Sequence, residues 1–220
     1  MKVKVCDALC GSGKTVSCIN MINSDTDHKY IFITPYLTEV ERIKNACTDR
    51  GFVAPEKSFS NHFSKLNDIT RLLRAGKNIV STHALFTSYT DEIKMLIREK
   101  GYILILDEVI DLFQPVDIDG GDVEFLKRNK IVREEDDGIV WEDEDYKGMM
   151  FNEVMRLSKS RDMINYDNEF YFWAVPIDVF SCFTKVYVLT YMFEYQLLRY
   201  FFDVNNVEYE LIGTTKKNGI

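Results

Sequence analysis

Residues 8–15 form the sequence Ala-Leu-Cys-Gly-Ser-Gly-Lys-Thr, which directly follows the alternating apolar run from Lys2 to Cys6. Its two closely spaced glycines lack a Cβ, so the backbone can curl and direct N–H groups at phosphate oxygens. In a loop of this type the lysine contacts the β- and γ-phosphates, and the hydroxyl that follows ligates Mg²⁺. The sequence therefore predicts a nucleoside triphosphate site with Mg²⁺, formed by Gly11, Ser12, Gly13, Lys14 and Thr15.

A second chemical signal lies at the end of the apolar run from Tyr102 to Leu106, which predicts a strand buried on both faces. Asp107 and Glu108 follow that run directly. By itself an Asp-Glu pair indicates only a solvated strand end. Beside a phosphate-binding loop, the aspartate holds Mg²⁺ and the glutamate polarises the attacking water. We therefore predict that Asp107 is a metal ligand with Thr15, and that Glu108 and Lys14 are catalytic.

These residues need a scaffold that brings strand ends together. Strands are predicted over 2–7, 30–34, 78–82, 102–106 and 185–190. Helices are predicted over 14–23, 38–49, 61–75, 91–100 and 193–202. Such alternation is typical of an α/β fold, a parallel sheet with helices on both faces. Ligands bind these sheets at the carboxyl ends of the strands, where Lys14, Asp107 and Thr190 all fall.

The alternation breaks between Asp117 and Asn168. Asp136-Asp137-Gly138 lies between two short apolar segments, which indicates a β-hairpin, and a helix is predicted over 149–160. We interpret residues 117–168 as an insertion, an acidic hairpin plus a helix. The α/β domain then consists of residues 1–116 and 169–220.

Composition and charge limit the classes of function. The 220 residues are 46% hydrophobic, enough to bury a sizeable core, and no run of 18 apolar residues predicts a membrane span. Five cysteines without a C-x-x-C pair indicate reduced thiols in a cytoplasmic protein. A net charge of −8 is unusual for a nucleic-acid-binding domain, but eight acidic residues within 133–145 account for it. The remainder is neutral, which permits a nucleic-acid partner.

The order of these motifs resembles the first RecA-like domain of superfamily 2 helicases and translocases, the DEAD/DEAH-like proteins. Their phosphate loop is often A-x-x-G-x-G-K-T, which residues 8–15 match, and their acidic motif is similar to 104–108. Three weaker family motifs resemble residues 31–37, 80–85 and 188–190, in the right order. Phage-encoded members look most similar.

This resemblance implies a P-loop RecA-like fold and an ATP-dependent helicase or ATPase in the cytoplasm, that of the host cell if the protein is phage-encoded. Thr190 would couple ATP turnover to motion, and Pro35, Tyr36, Thr82 and His83 would contact nucleic acid, with DNA favoured over RNA. The family completes its site with arginines from a second RecA-like domain, in cis or in trans. The chain alone is therefore expected to hydrolyse ATP weakly or not at all.

The chain also departs from the family pattern. Val109-Ile110 and Tyr191-Met192 replace the residues that the family usually has in and after the acidic and coupling motifs. Coupling from the acidic motif is therefore expected to differ from the family's, and Thr190 alone is left to carry the coupling role. Two other classes stay open, a P-loop kinase or other small-molecule NTPase, and a non-catalytic module that binds nucleic acid or protein. Glu108 favours hydrolysis over transfer, and no arginine-rich lid follows Asp107.

Three groups of residues have competing interpretations. Residues 34–36 are a nucleic-acid contact or a plain strand end. The aromatic residues of 193–202 have helical spacing, which favours core packing over base stacking. The basic residues just before the acidic run either neutralise phosphates or pair with those acids; they are Lys127, Arg128, Lys130 and Arg133.

Overall fold

A computed structural model describes residues 2–57, 64–108, 110–135, 138–158, 161–166 and 170–213. The chain forms two compact units. The first comprises Met1–Ile110 and Ile177–Ile220, and the second comprises Asp111–Pro176. We call them the parallel unit and the antiparallel unit, after the sheet that each contains.

The described residues contain the following strands and helices. The strands are β1 (Lys2–Asp7), β2 (Tyr30–Thr34), β3 (Ile79–Thr82), β4 (Ile103–Asp107), β5 (Phe113–Pro115), β6 (Val132–Glu135), β7 (Gly138–Trp141), β8 (Asp162–Tyr166), β9 (Phe170–Ala174), β10 (Lys185–Thr190) and β11 (Tyr209–Ile212). The α-helices are α1 (Lys14–Ser24), α2 (Leu37–Ala46), α3 (Lys65–Arg74), α4 (His83–Phe86), α5 (Asp91–Lys100), α6 (Gly120–Arg128), α7 (Asn152–Ser158), α8 (Asp178–Ser181) and α9 (Leu197–Val204). Short 3₁₀ helices span Thr48–Arg50 and Phe193–Tyr195.

The parallel unit contains a six-stranded sheet in the order β11-β1-β10-β4-β2-β3, and every neighbouring pair is parallel. The predicted α/β class with a parallel sheet is therefore confirmed. Strand β10 lies between β1 and β4, so the ends of β1, β10 and β4 are adjacent. These three ends carry the glycine loop, Thr190 and Asp107.

Both faces of the central strands are buried, as their continuous apolar sequences predict. On one face, Phe32 and Ile105 belong to a cluster with Ile19 and Ile22 of α1 and Val40 of α2. The residues that alternate with them in β2 and β4 are buried as well; they are Ile31, Ile33, Leu104 and Leu106. Parallel strands need cover on both sides, and the apolar faces of the helices supply it.

The antiparallel unit contains a five-stranded sheet in the order β5-β9-β8-β7-β6. The predicted hairpin is confirmed, because β6 and β7 pair with Glu135 opposite Gly138. Its core joins Val123 of α6, Val154 of α7 and Trp173 of β9. This unit extends beyond residues 117–168 on both sides because β5 pairs with β9.

Four helices differ from the prediction at their ends. The helix predicted over 149–160 is α7, which begins at Asn152, and residues 159–160 lie outside the described residues. Helix α2 ends at Ala46, and a 3₁₀ turn continues the chain. Helix α3 begins at Lys65, where the Ser64 side chain accepts a hydrogen bond from the N–H of Asn67, and residues 61–63 of the predicted helix lie outside the described residues. The predicted helix over 193–202 divides at Gln196, whose backbone is extended.

Candidate functional site

The glycine loop between β1 and α1 has the conformation that its sequence predicts. Gly11 and Gly13 adopt φ angles of 76° and 84°, in the left-handed region where a side chain is strained. An added Cβ at either position would meet no atom within 4 Å, so the loop borders open space. Gly13 is also the N-cap of α1, and its carbonyl accepts from the N–H of Ser17 at 2.9 Å. The loop thus combines a curled backbone with a helix N-terminus, a suitable arrangement for an anion.

The Lys14 ammonium group lies against this loop. Its Nζ donates to the carbonyl oxygens of Ala8 at 2.6 Å and Leu9 at 3.0 Å. The side chain is therefore folded over the same loop whose N–H groups would receive phosphate. Phosphate oxygens can replace these neutral carbonyl acceptors, because they carry a negative charge that the ammonium group attracts directly.

Thr15 and Asp107 meet although 92 positions separate them in the chain. The Thr15 hydroxyl lies 3.3 and 3.4 Å from the two carboxylate oxygens of Asp107. A hydroxyl and a carboxylate side by side are the ligand pair that Mg²⁺ takes beside a bound triphosphate. No group of three or more His, Cys, Asp or Glu side chains among the described residues is arranged to hold a metal ion. A Mg²⁺ ion here would need phosphate or water oxygens as further ligands.

Burial raises the pKa of Asp107 to about 6, from an ordinary value of 3.8. The neighbouring Glu108 charge also raises this pKa, whereas the hydrogen bond from Thr15 and the Arg42 charge lower it. Asp107 is thus a carboxyl group whose negative charge is poorly compensated by the protein. A cation bound beside it would supply the compensation.

Glu108 lies at the turn that follows β4. Its φ angle is 64°, a left-handed conformation that is uncommon for a residue other than glycine. Its N–H donates to the carbonyl of Leu189 at 2.9 Å, which fixes the turn against β10. Its side chain is exposed and lines the cavity described next, as a general base requires.

A cavity of about 810 Å³ opens in front of the glycine loop, and it lies wholly within the parallel unit. Its wall is formed by Cys10, Gly11, Ser12, Gly13, Lys14, Thr15, Val16, Thr34, Pro35, Tyr36, Glu39, Arg42, Asp107, Glu108, Leu189, Thr190, Tyr191 and Gln196. Every residue predicted for nucleotide, metal or catalytic work lies in this wall. A volume of this size accommodates a small ligand such as a nucleotide.

Thr190 also lies in the wall. Two residues that the sequence analysis did not identify, Gln196 and Asp7, form hydrogen bonds to Thr190 and to the residues that follow it. The Gln196 amide nitrogen donates to Thr190 Oγ1 at 2.7 Å and to the carbonyl of Tyr191 at 2.6 Å. Asp7 accepts from the N–H groups of Met192 at 2.8 Å and Phe193 at 3.1 Å. The segment after β10 is therefore tied to the end of β1, directly before the glycine loop. No sequence signal identifies the Asp7 contacts, because they join residues about as far apart as the chain allows, with 185 and 186 positions between the partners.

The four predicted nucleic-acid contacts separate into two pairs. Pro35 and Tyr36 lie in the cavity wall, whereas Thr82 and His83 are not among the wall residues of the described chain. His83 Nε2 lies 3.0 Å from the carbonyl oxygen of Asp107, so this ring joins α4 to the end of β4. Pro35 and Tyr36 therefore border the cavity, and Thr82 and His83 are outside its lining.

The sequence interpretation also missed Glu39 and Arg42, which extend the cavity wall along α2. Arg42 Nε and Nη2 lie 2.8 and 2.6 Å from Glu39 Oε2. A glutamate and an arginine three positions apart on a helix usually form a solvated surface pair, so the sequence gives no functional signal. The position of α2 after β2 is the clue, because ligands gather at the carboxyl ends of the strands.

The aromatic residues after β10 divide between core and surface. Phe193, Phe201 and Phe202 are buried, which agrees with the interpretation as core. Tyr195 and Tyr200 are exposed at 77% and 53%. The interpretation as core is therefore confirmed for the three phenylalanines and wrong for the two tyrosines.

The basic residues beside the acidic run pair with acids. Lys127 contacts Glu134 at 2.8 Å and Glu124 at 3.3 Å. Arg133 contacts Glu135 and Glu142, both at 2.9 Å. Of the two interpretations left open by the sequence, the structure therefore supports pairing for these two side chains.

The chain is similar in sequence to a prophage-derived protein. Residues 113–173, which fall inside the antiparallel unit, match the family model described as the YonV middle domain. The chain is 38% identical over 227 aligned residues to the SPbeta prophage-derived uncharacterized protein YonV of Bacillus subtilis (strain 168). The alignment covers 99% of this chain, and the chain spans only 55% of the length of that curated relative. No solved structure matches the chain significantly.

Among the described residues, none of the helices has both the length and the apolar character needed to span a bilayer.

Proposed function

We propose that this chain is the ATP-binding motor domain of a superfamily 2 helicase or translocase, with a P-loop RecA-like fold in its parallel unit. One observation carries the proposal. The Thr15 hydroxyl and the Asp107 carboxylate lie 3.3 Å apart beside the glycine loop, although 92 positions separate them in the chain. Glu108 lines the same cavity. These three groups perform different parts of one reaction, phosphoryl transfer to water.

The chain's residues divide that reaction among them. The loop N–H groups and the N-terminus of α1 hold the phosphates of ATP, and Lys14 donates to the terminal phosphates. Thr15 and Asp107 would hold Mg²⁺, which would neutralise phosphate charge and polarise the phosphoryl oxygen. Glu108 accepts a proton from the attacking water. A bond forms between the water oxygen and the terminal phosphorus, the bond from that phosphorus to the bridging oxygen breaks, and ADP and inorganic phosphate leave.

Coupling to movement is proposed to pass through the segment after β10. Thr190 faces the cavity, Gln196 holds Thr190, and Asp7 holds the next two residues from the end of β1. A change at the phosphates can reach this segment through either anchor. Such a chain of hydrogen bonds is the physical connection that a coupling motif requires.

Full turnover and strand separation are proposed to need nucleic acid, DNA rather than RNA, and a second RecA-like domain in cis or in trans. Charge permits the nucleic-acid partner. Residues 111–176 contain 17 of the 35 acidic residues but 8 of the 27 basic ones, so the parallel unit is close to neutral. A neutral unit does not repel a polynucleotide as the acidic unit does.

Phosphate release from ATP tests this proposal. It is measured for the purified protein alone and with single-stranded DNA, duplex DNA or RNA, with Glu108→Gln as the blank. We expect slow release that DNA accelerates and that Glu108→Gln removes. Release that is equal in both proteins would contradict the assignment, and transfer of phosphate to a small acceptor would favour the kinase alternative.

A further inference from the structure

The cavity is lined by residues from several strand ends, and those from β2 and α2 have no part in the proposed phosphoryl transfer. The glycine loop, Lys14 and Thr15 form the wall on β1 and α1. Residues from the end of β2 and the first turns of α2 form another wall, and Arg42 is the basic residue of that wall. A polyphosphate seated on the glycine loop would therefore have a second cation available in the same cavity.

Arg42 is held in a way that lets it change partner. Its guanidinium donates through two nitrogens to a single oxygen, Glu39 Oε2. The pair is partly exposed, with 43% of the arginine side chain and 34% of the glutamate side chain accessible. Such pairs contribute little stability, so exchange of a carboxylate oxygen for phosphate oxygens costs little. Guanidinium groups also match phosphate geometry through paired hydrogen bonds.

Arg42 is also close enough to the acidic pair to feel its charge. Both residues line the cavity, and the positive charge of Arg42 is among the influences that lower the pKa of Asp107. Asp107 is the predicted Mg²⁺ ligand, so Arg42 shares the cavity with the residue that would hold the metal ion beside the phosphates. A cation in that position stabilises the charge that develops during phosphoryl transfer.

A second, independent observation marks the same wall. Thr34, at the end of β2, is fully buried, lines the cavity, and its hydroxyl has no hydrogen-bond partner among the described residues. A buried hydroxyl without a partner is destabilising, and native proteins keep few of them. A ligand oxygen in the cavity would satisfy it. Thr34 thus indicates that something polar binds on the side of the cavity that Arg42 borders.

We propose that Arg42 and Thr34 bind the terminal phosphate of a nucleoside triphosphate held by the glycine loop, so that the parallel unit supplies a phosphate-binding arginine from its own sequence. The inference rests on the proposed nucleotide-binding function. Glu39 holds Arg42 until the phosphate takes its place. A diphosphate does not reach Arg42, so the wall on α2 distinguishes ATP from ADP.

The test compares two nucleotides in matched variants. Calorimetry with Mg²⁺ measures the affinities for ADP and for a non-hydrolysable ATP analogue with an imido group between the β- and γ-phosphates. Arg42→Ala and Thr34→Val remove the proposed contacts, and Thr34→Ser keeps the hydroxyl. Lys44→Ala is the matched control, because Lys44 pairs with Glu41 on the same helix at the same spacing and is not among the wall residues.

We expect Arg42→Ala to weaken analogue binding by about 10-fold or more and to leave ADP affinity within about twofold, because a charge-assisted contact is lost to the third phosphate alone. Thr34→Val weakens analogue binding by a smaller factor, and Thr34→Ser restores it. Lys44→Ala changes neither affinity. Glu39→Gln releases Arg42, so it preserves or increases analogue affinity. If the Glu39–Arg42 pair were purely structural, Glu39→Gln and Arg42→Ala would both lower analogue affinity.

The outcomes separate this inference from the proposed function. Equal loss of both nucleotides, or no loss, in Arg42→Ala overturns the role of Arg42. If Lys14→Ala still weakens binding in the same experiment, the nucleotide site itself stands. If the wild-type protein binds neither nucleotide, the proposed function and this inference both fail.

Discussion

In the parallel unit, charged and polar side chains from separate strands and helices meet around one cavity, whereas in the antiparallel unit they pair with neighbours on the surface. Lys14, Asp107 and Arg42 come from α1, β4 and α2 and line the same cavity. Lys127 and Arg133 instead bind acids of their own unit. Lys14 and Asp107 converge without an ion pair between them or to another side chain in the described residues, and Arg42 is held only by Glu39 of its own helix, so these charges are available to a ligand. Side chains that pair on a surface are suited to solubility.

The largest difference between substitutions in the two units is expected in the rate of ATP hydrolysis. Glu108→Gln is expected to lower ATP turnover by at least about 100-fold, because an amide cannot accept the proton from water. Nucleotide affinity should stay within a few-fold, since the substitution leaves the glycine loop intact. Phosphate release and calorimetry measure the two quantities, and Glu142→Gln in the antiparallel unit is the control, with no change expected in either. Normal turnover in Glu108→Gln would mean that the base lies elsewhere.

The next effect is on stability and depends on pH. Below pH 3.8 the Asp107 carboxyl is mostly protonated in both folded and unfolded states and does not lower the free energy of unfolding. Above about pH 6 it is charged in both states, and the folded state bears the cost of burying that charge. Stability from this group therefore falls as pH rises between these values.

Asp107→Asn removes that cost because the amide is neutral at every pH. In the absence of Mg²⁺ and nucleotide, it should raise the free energy of unfolding by on the order of 2 kcal/mol at pH 7.5, with the gain lost near pH 4. Urea unfolding at both pH values measures it. Asp68→Asn serves as the contrast, because Asp68 is buried but paired with Arg71 at 2.8 Å, and its replacement should destabilise. A destabilised Asp107→Asn protein at pH 7.5 would contradict this view of the site.

The smallest effects are expected in the antiparallel unit. Lys127→Ala and Arg133→Ala should each change stability by less than about 1 kcal/mol, because exposed ion pairs contribute little in water. Neither should change nucleotide affinity. Thermal unfolding and calorimetry check both statements, and a large loss of nucleotide binding in either variant would show that the acidic unit takes part in the site.

The sequence was most informative where one element contains the whole signal. Strand β1, the glycine loop and helix α1 are contiguous, and their pattern alone predicted their bounds to within a residue. Strands β2 and β10 have the predicted bounds as well, since an apolar run with a polar end is a local property. The acidic pair after β4 was found for the same reason.

What escaped prediction depends on contacts between distant segments. Helix α6 begins at Gly120-Gly121, a pair that suggests a loop, and the side chain of Asp119 caps it by accepting from the N–H of Asp122. Strands β8 and β9 are short, and β9 has a continuous aromatic sequence without alternation. In the site, Arg42 resembled an ordinary surface residue, because only the sheet brings α2 beside the glycine loop.

The central claim is that the cavity in front of the glycine loop binds nucleoside triphosphate through Lys14. Calorimetric titration of Mg·ATP into the wild-type protein and Lys14→Ala tests it most directly, with circular dichroism to show that both are folded. We predict binding by the wild-type protein and a loss of about 10- to 100-fold in affinity for the variant, because the charge-assisted contact to phosphate disappears while the partly exposed side chain contributes little to the core. Equal affinity in the two folded proteins, or no binding in either, would contradict the account.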